Sequence, residues 1–210
     1  MITSQRTSGR VGPFGLTRRL SLTESFELAI PGATLSELDE AWALALAEAE
    51  QCARGAGRGE VAAYLKLRAS NDLLRQTSIE WLLATFTTLA GEANRAGASI
   101  QISKHDAHRF QVGTATMVGQ LLTLSVGVRV LSIEAGWPRR PSDGVVRGNG
   151  LACARIRHLG KKSANDELLL VRSEKESPRW VVIGKFGRRH ELLEAGIRKH
   201  IAKLLSENYR

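Results

Sequence analysis

The chain has 210 residues, 43% of them apolar, with 24% charged and 5% aromatic, which is enough apolar mass for one large domain with a substantial core. Thirty Lys and Arg against 21 Asp and Glu leave a formal charge of +9 and a pI near 10.1, a balance that favours polyanionic partners. Two cysteines, Cys52 and Cys153, exclude a disulfide framework, and both are expected as small buried apolar residues of a reducing compartment. Met1 to Thr17 lacks the apolar core of a secretory signal, and no run of apolar residues is long enough to span a bilayer, so a cytoplasmic protein is expected.

Residues 1–20 carry four arginines among Ser, Thr and Gly and read as a basic, flexible arm, with residues 21–210 forming a single α+β domain. Phe26, Leu28 and Ile30 alternate with polar neighbours, as in a strand with one buried face that Pro31 and Gly32 end. Thr34 and Glu37 make a capping box for a helix over Leu35 to Arg54, whose Leu35, Leu38, Trp42, Ala45 and Leu46 form an apolar stripe. Seven carboxylates and no Lys or Arg fall in residues 21–50, and most of these seven sit in this one element. Gly55 and Gly57 close it. A second helical region runs from Glu60 to Ala96, with an interruption expected near Ser70 and Asn71, and Ile79, Leu82, Leu83, Phe86 and Leu89 mark its buried face. The two make an N-terminal helical hairpin.

After Gly97 the apolar period shortens to two. Strands are predicted at Ser99 to Ser103, Arg109 to Val112, Leu121 to Glu134, Leu151 to Leu159, Glu167 to Arg172 and Trp180 to Ile183, joined as an antiparallel meander. Arg147 to Gly150 and Ser173 to Pro178 have the Gly, Asn, Ser and Pro of hairpin loops. Leu192, Leu193, Ile197, Ile201, Leu204 and Leu205 define a C-terminal amphipathic helix over Arg189 to Ser206. Helices followed by strands give the α+β class.

The densest cationic stretch is Arg129 to Lys162, with Arg129, Arg139, Arg140, Arg147, Arg155, Arg157, Lys161 and Lys162 against Glu134 and Asp143. Strand alternation places Cys153, Arg155 and Arg157 on one face, a pairing suited to a phosphate backbone through charge-assisted hydrogen bonds. Trp137-Pro138-Arg139-Arg140-Pro141 is a proline-stiffened loop in which Trp137 would stack on an unpaired base, or else plug the end of the core. Lys185, Arg188 and Arg189 gather before the last helix, where amides and dipole favour an anion. Together these residues point to a non-enzymatic nucleic-acid-associated protein with no cofactor.

Two other classes fit the same residues. One is a subunit of a protein assembly whose arginines meet acidic surfaces, with Trp42 or Trp137 as contacts. The other is a metal-dependent nuclease assembled from Glu134, Asp166, Glu167 and Lys175. His105-Asp106-Ala107-His108 brings two imidazoles and a carboxylate together at an expected turn, but its short spacing lacks the further ligands of a zinc site. No hydrolase elbow, HExxH motif or phosphate-binding P-loop is present.

Overall fold

Apolar periodicity sets the order of elements. In the computed structural model, which describes residues 35–172, 177–184 and 187–206, helices α1 (Leu35–Gly55) and α2 (Gly59–Arg95) precede seven strands and a final helix α3 (Glu194–Leu205). The strands are β1 (Gln101–Val112), β2 (Ala115–Val126), β3 (Arg129–Trp137), β4 (Ala152–His158), β5 (Asp166–Val171), β6 (Arg179–Ile183) and β7 (Arg189–Glu191). They form one antiparallel sheet in which every strand pairs with its neighbour in sequence. The fold is therefore α+β. The expected arm, the strand at Phe26 to Ile30 and the cap at Thr34 lie outside the described residues.

The turn between the helices needs a left-handed residue, and Gly57 supplies it with φ +70°. The N-terminal half of α2 then packs on α1 through Ala62 and Leu65 against Leu46 and Ala53. Its C-terminal half turns Ile79, Leu82, Leu83, Phe86 and Leu89 onto the sheet, where they meet Leu122, Leu131, Ile133, Ile156 and Leu170. Ile197, Ile201 and Leu204 of α3 close the same core. One uninterrupted helix thus serves two cores, and the break expected near Ser70 and Asn71 does not occur. The opposite sheet face carries a smaller cluster of Phe110, Ala115, Met117, Cys153, Leu169 and Val181, under Val146 of the β3–β4 connection.

Four strand assignments change. Gly127, with φ +58°, and Val128 form a turn that splits the expected Leu121 to Glu134 strand into β2 and β3. His105 to His108 is not a turn but a bulge inside a single β1: Asp106 and Ala107 stand opposite Gln120 alone, and Ala107 takes φ +55°. Arg189 to Glu191 pairs with β6 as β7, so the last helix starts later than its apolar pattern suggests. Arg147 to Gly150 belongs to a longer connection containing two short 3-10 turns. Cys52 is also exposed rather than buried, whereas Cys153 is buried.

Gly119 and Gly136 face each other across β2 and β3. A Cβ at Gly119 would lie 2.0 Å from the Ala135 carbonyl oxygen, and one at Gly136 would lie 2.7 Å from that of Val118. Backbone cannot yield cheaply, so we expect Gly119→Ala to destabilise the protein by about 3 kcal/mol, in the upper range for overpacking. Urea denaturation with an unchanged midpoint would show that the strands separate without cost.

Candidate functional site

The loop after β3 is built to be stiff. Pro138 and Pro141 fix two backbone angles, and the buried Asp143 carboxylate accepts the backbone N–H groups of Arg139 (3.2 Å) and Arg140 (3.0 Å). The Arg109 guanidinium donates to the same carboxylate at 3.2 Å. These bonds tie the loop to itself and to β1, and α2 presents Tyr64, Leu67, Arg68, Asn71 and Arg75 toward it, residues spaced to share one helical face.

Between loop and helix lies a groove of about 310 Å³ lined by Arg68, Arg75, Arg139 and Arg140, with Tyr64 and Asn71. Arg172, just after β5, donates to the Asn71 Oδ1 at 3.0 Å and brings a fifth guanidinium to this region. Two of the five are neutralised in place. Arg75 pairs with Asp72 at 2.5 Å and also donates from Nε to the Leu151 carbonyl at 2.9 Å. Arg139 makes a two-pronged pair with Asp39 of α1 and stacks its guanidinium 3.4 Å from the Trp137 ring centre. Burial lowers the Arg139 pKa, while the hydrogen bond and charge of Asp39 oppose that fall. A parallel unit holds Arg68, which sits 4.8 Å from the Trp42 ring centre while the Trp42 indole donates to Asp72 at 3.3 Å. Arg68, Arg75 and Arg139 are therefore each aimed by an aromatic ring, a carboxylate or both. Five cations face two carboxylates.

The other cations singled out from sequence are divided rather than gathered. Trp137 is 4% exposed and completes the core, so it offers no stacking face to solvent, and Arg139 turns inward with it. Arg155 and Arg157 do share the open sheet face with Cys153, as alternation implied. There, Arg155 stands across from both Glu134 and Glu167, with its Nε 3.8 Å from Glu167, and Arg157 lies 3.7 Å from Glu134. Arg129 is taken up at the end of α3, where it donates to the Leu205 and Ser206 carbonyls at 2.9 and 2.8 Å. Lys161 and Lys162 follow β4, at the opposite end of that strand from Arg140 and Arg147. A Cβ on Gly113 would come 3.4 Å from the Arg147 guanidinium carbon, which places that side chain at the β1–β2 turn, and Arg189 reaches over Gly148. Arg188 is exposed ahead of β7, and Lys185 lies outside the described residues.

The three carboxylates of the nuclease constellation do not share one face. Glu134 and Glu167 point to the open face, whereas Asp166 points to the helix-covered face and pairs with His200. Lys175 is outside the described residues. His108 lies 2.8 Å from Glu134 and stacks on Phe110, while His105 contacts Ser103, so the two imidazoles serve separate partners. Among the described residues, no group of three or more His, Cys, Asp or Glu is arranged to hold a metal.

A second polar cluster lies under α3. His200 Nε2 is 3.1 Å from Asp166, and its Nδ1 is 3.0 Å from His158 Nε2. With a carboxylate accepting from His200 Nε2–H, the neutral ring accepts at Nδ1, and His158 donates to it. Burial, then the neighbouring His200 and Lys203, push the His158 pKa down to about 4. A cavity of about 410 Å³ adjoins this chain, with Ser163, His190, Lys199 and Lys203 in its wall. Both nitrogens of His200 are engaged internally and His158 is 2% exposed, so the chain clamps α3 to β4 and β5 instead of offering a base to a ligand.

Comparison with known proteins places no family name on this arrangement: no protein family, curated protein or solved structure matches the chain.

Proposed function

We propose that the protein is a non-enzymatic nucleic-acid-associated protein that contacts a phosphate backbone through the groove between α2 and the Pro138–Pro141 loop. The observation that supports this reading is the meeting of Arg68, Arg75, Arg139, Arg140 and Arg172, from three separated parts of the chain, around one groove with two carboxylates among them. Guanidiniums fixed in orientation lose little entropy on pairing with phosphate oxygens, and their planar fork matches them. Arg68 and Arg172 carry charge that Asp39 and Asp72 do not offset, and Arg140 adds an exposed guanidinium to the groove wall. Arg155 and Arg157, each beside a glutamate, contribute less than their sequence positions suggest.

Three phosphate contacts give a single-strand affinity that falls roughly 20-fold between about 50 and 200 mM salt, because binding releases condensed counterions. Replacing Arg68 and Arg140 together by alanine is expected to reduce the slope of log affinity against log salt from about −2 to about −0.7. Fluorescence anisotropy with a labelled oligonucleotide measures both. Absence of binding at low salt, or an unchanged slope in the double variant, would remove the groove from this role.

A further inference from the structure

The groove holds more than cations. Tyr64 is 60% exposed and Leu67 is 53% exposed, an aromatic ring and an aliphatic side chain left in water on the same helix face as Arg68 and Asn71. The four residues fall at i, i+3, i+4 and i+7, so they project side by side along about two turns of α2. Resting on the reading above, we propose that the partner is an unpaired nucleic-acid strand, with one base stacked on Tyr64 and packed against Leu67 while the adjoining phosphates meet Arg68 and Arg140.

The chemistry separates this partner from the competing ones. A duplex hides the faces of its bases within its own stack, so a tyrosine ring beside its backbone gains no stacking surface, whereas an unpaired base offers its whole face. The Asn71 amide, oriented by Arg172 and lining the groove, supplies both a donor and an acceptor for a base edge. A polyanion without aromatic groups would satisfy the guanidiniums and leave Tyr64 unstacked. A groove of about 310 Å³ leaves room for one nucleotide-sized group beside Tyr64. The stacking role foreseen for Trp137 therefore moves to Tyr64, which the fold leaves in solvent where Trp137 is enclosed.

The test compares an oligothymidylate of about 12 nucleotides, within the range of single-strand site sizes, with a duplex of the same length. Wild-type protein should bind the single strand at least about 10-fold more tightly at equal salt. Tyr64→Ala should weaken single-strand binding on the order of 10-fold, leave the salt slope unchanged and leave duplex binding unaltered, while Tyr64→Trp retains affinity. Because Tyr64 is exposed, its variants should keep the wild-type thermal midpoint, and that measurement accompanies the binding curves. Equal affinity for both forms, or indifference to Tyr64→Ala alongside a retained effect of Arg68 and Arg140, overturns the single-strand inference alone. Polyglutamate binding as tightly as oligothymidylate also overturns it. No binding of either nucleic acid overturns the phosphate-contact reading itself.

Discussion

Replacing Asp39 by alanine is expected to lower stability by about 3 kcal/mol or more, because it strands a cation inside the protein. Arg139 and Asp39 keep only 10% and 12% of their side chains exposed, and the guanidinium lies flat on Trp137. Asp39 comes from α1 and Arg139 from the loop after β3, so the pair also ties α1 to that loop. Without the carboxylate, the arginine must either stay charged with little solvent or leave its site and expose Trp137. Both routes are costly. Joint replacement, Asp39→Leu with Arg139→Met, should recover most of the loss, since the penalty of a broken buried pair exceeds that of an apolar substitute. Urea denaturation of the single and double variants decides the matter. Equal destabilisation in both would mean that packing volume, and not the unpaired charge, controls this junction.

Acid should loosen the protein through the His158–His200–Asp166 chain. His158 has its pKa at about 4 in the folded state, against about 6.5 when unfolded. Above 6.5 both states hold the ring neutral and its contribution is complete. As pH falls from about 6.5 to about 4 the unfolded chain takes up a proton that the folded chain refuses, and up to about 3 kcal/mol of stability is lost. Asp166 acts in the same direction: its hydrogen bond to His200 lowers its pKa, so its contribution is present above the ordinary carboxylate range and fades as pH drops through the lowered value. The charges facing His158 reinforce this, since Lys203 and Lys161 disfavour a proton on its ring while Asp166 favours one. Urea midpoints between about pH 7.5 and 4 should decline with an onset near 6.5. In His158→Leu the decline should be much shallower. A wild-type curve that is flat to pH 5 would show that His158 takes its proton without opening the structure.

Local pattern made the helical pair, the α+β class and the alternation of β4 readable, because each depends on spacing within a few residues. Trp137 was legible too. Leu131, Ile133, Ala135 and Trp137 share one face, and that parity already points the indole inward once β3 is taken to start at Arg129. What concealed it was Gly127, a single turn residue inside an apolar run. β7 was hidden for the opposite reason, since Arg189, His190 and Glu191 offer no apolar residue to mark a face. The groove was beyond local reasoning. Arg68 and Arg75 resemble ordinary solvated helix cations in sequence, and only tertiary folding brings them against a loop some seventy residues away. Likewise, the acids that offset Arg155 and Arg157 come from neighbouring strands, and registers between strands are not written in one strand's pattern.

The bulge in β1 has a bearing on how the protein behaves at high concentration. Among the described residues β1 is an edge strand of the sheet and runs for 12 residues, long enough for the outward amides and carbonyls of such an edge to template another copy. The extra residue at Asp106 and Ala107 twists that edge midway, and the exposed Lys104 two residues earlier sets a charge beside it. Continuous edge-to-edge pairing is interrupted halfway along the strand, which works against open-ended growth from this margin.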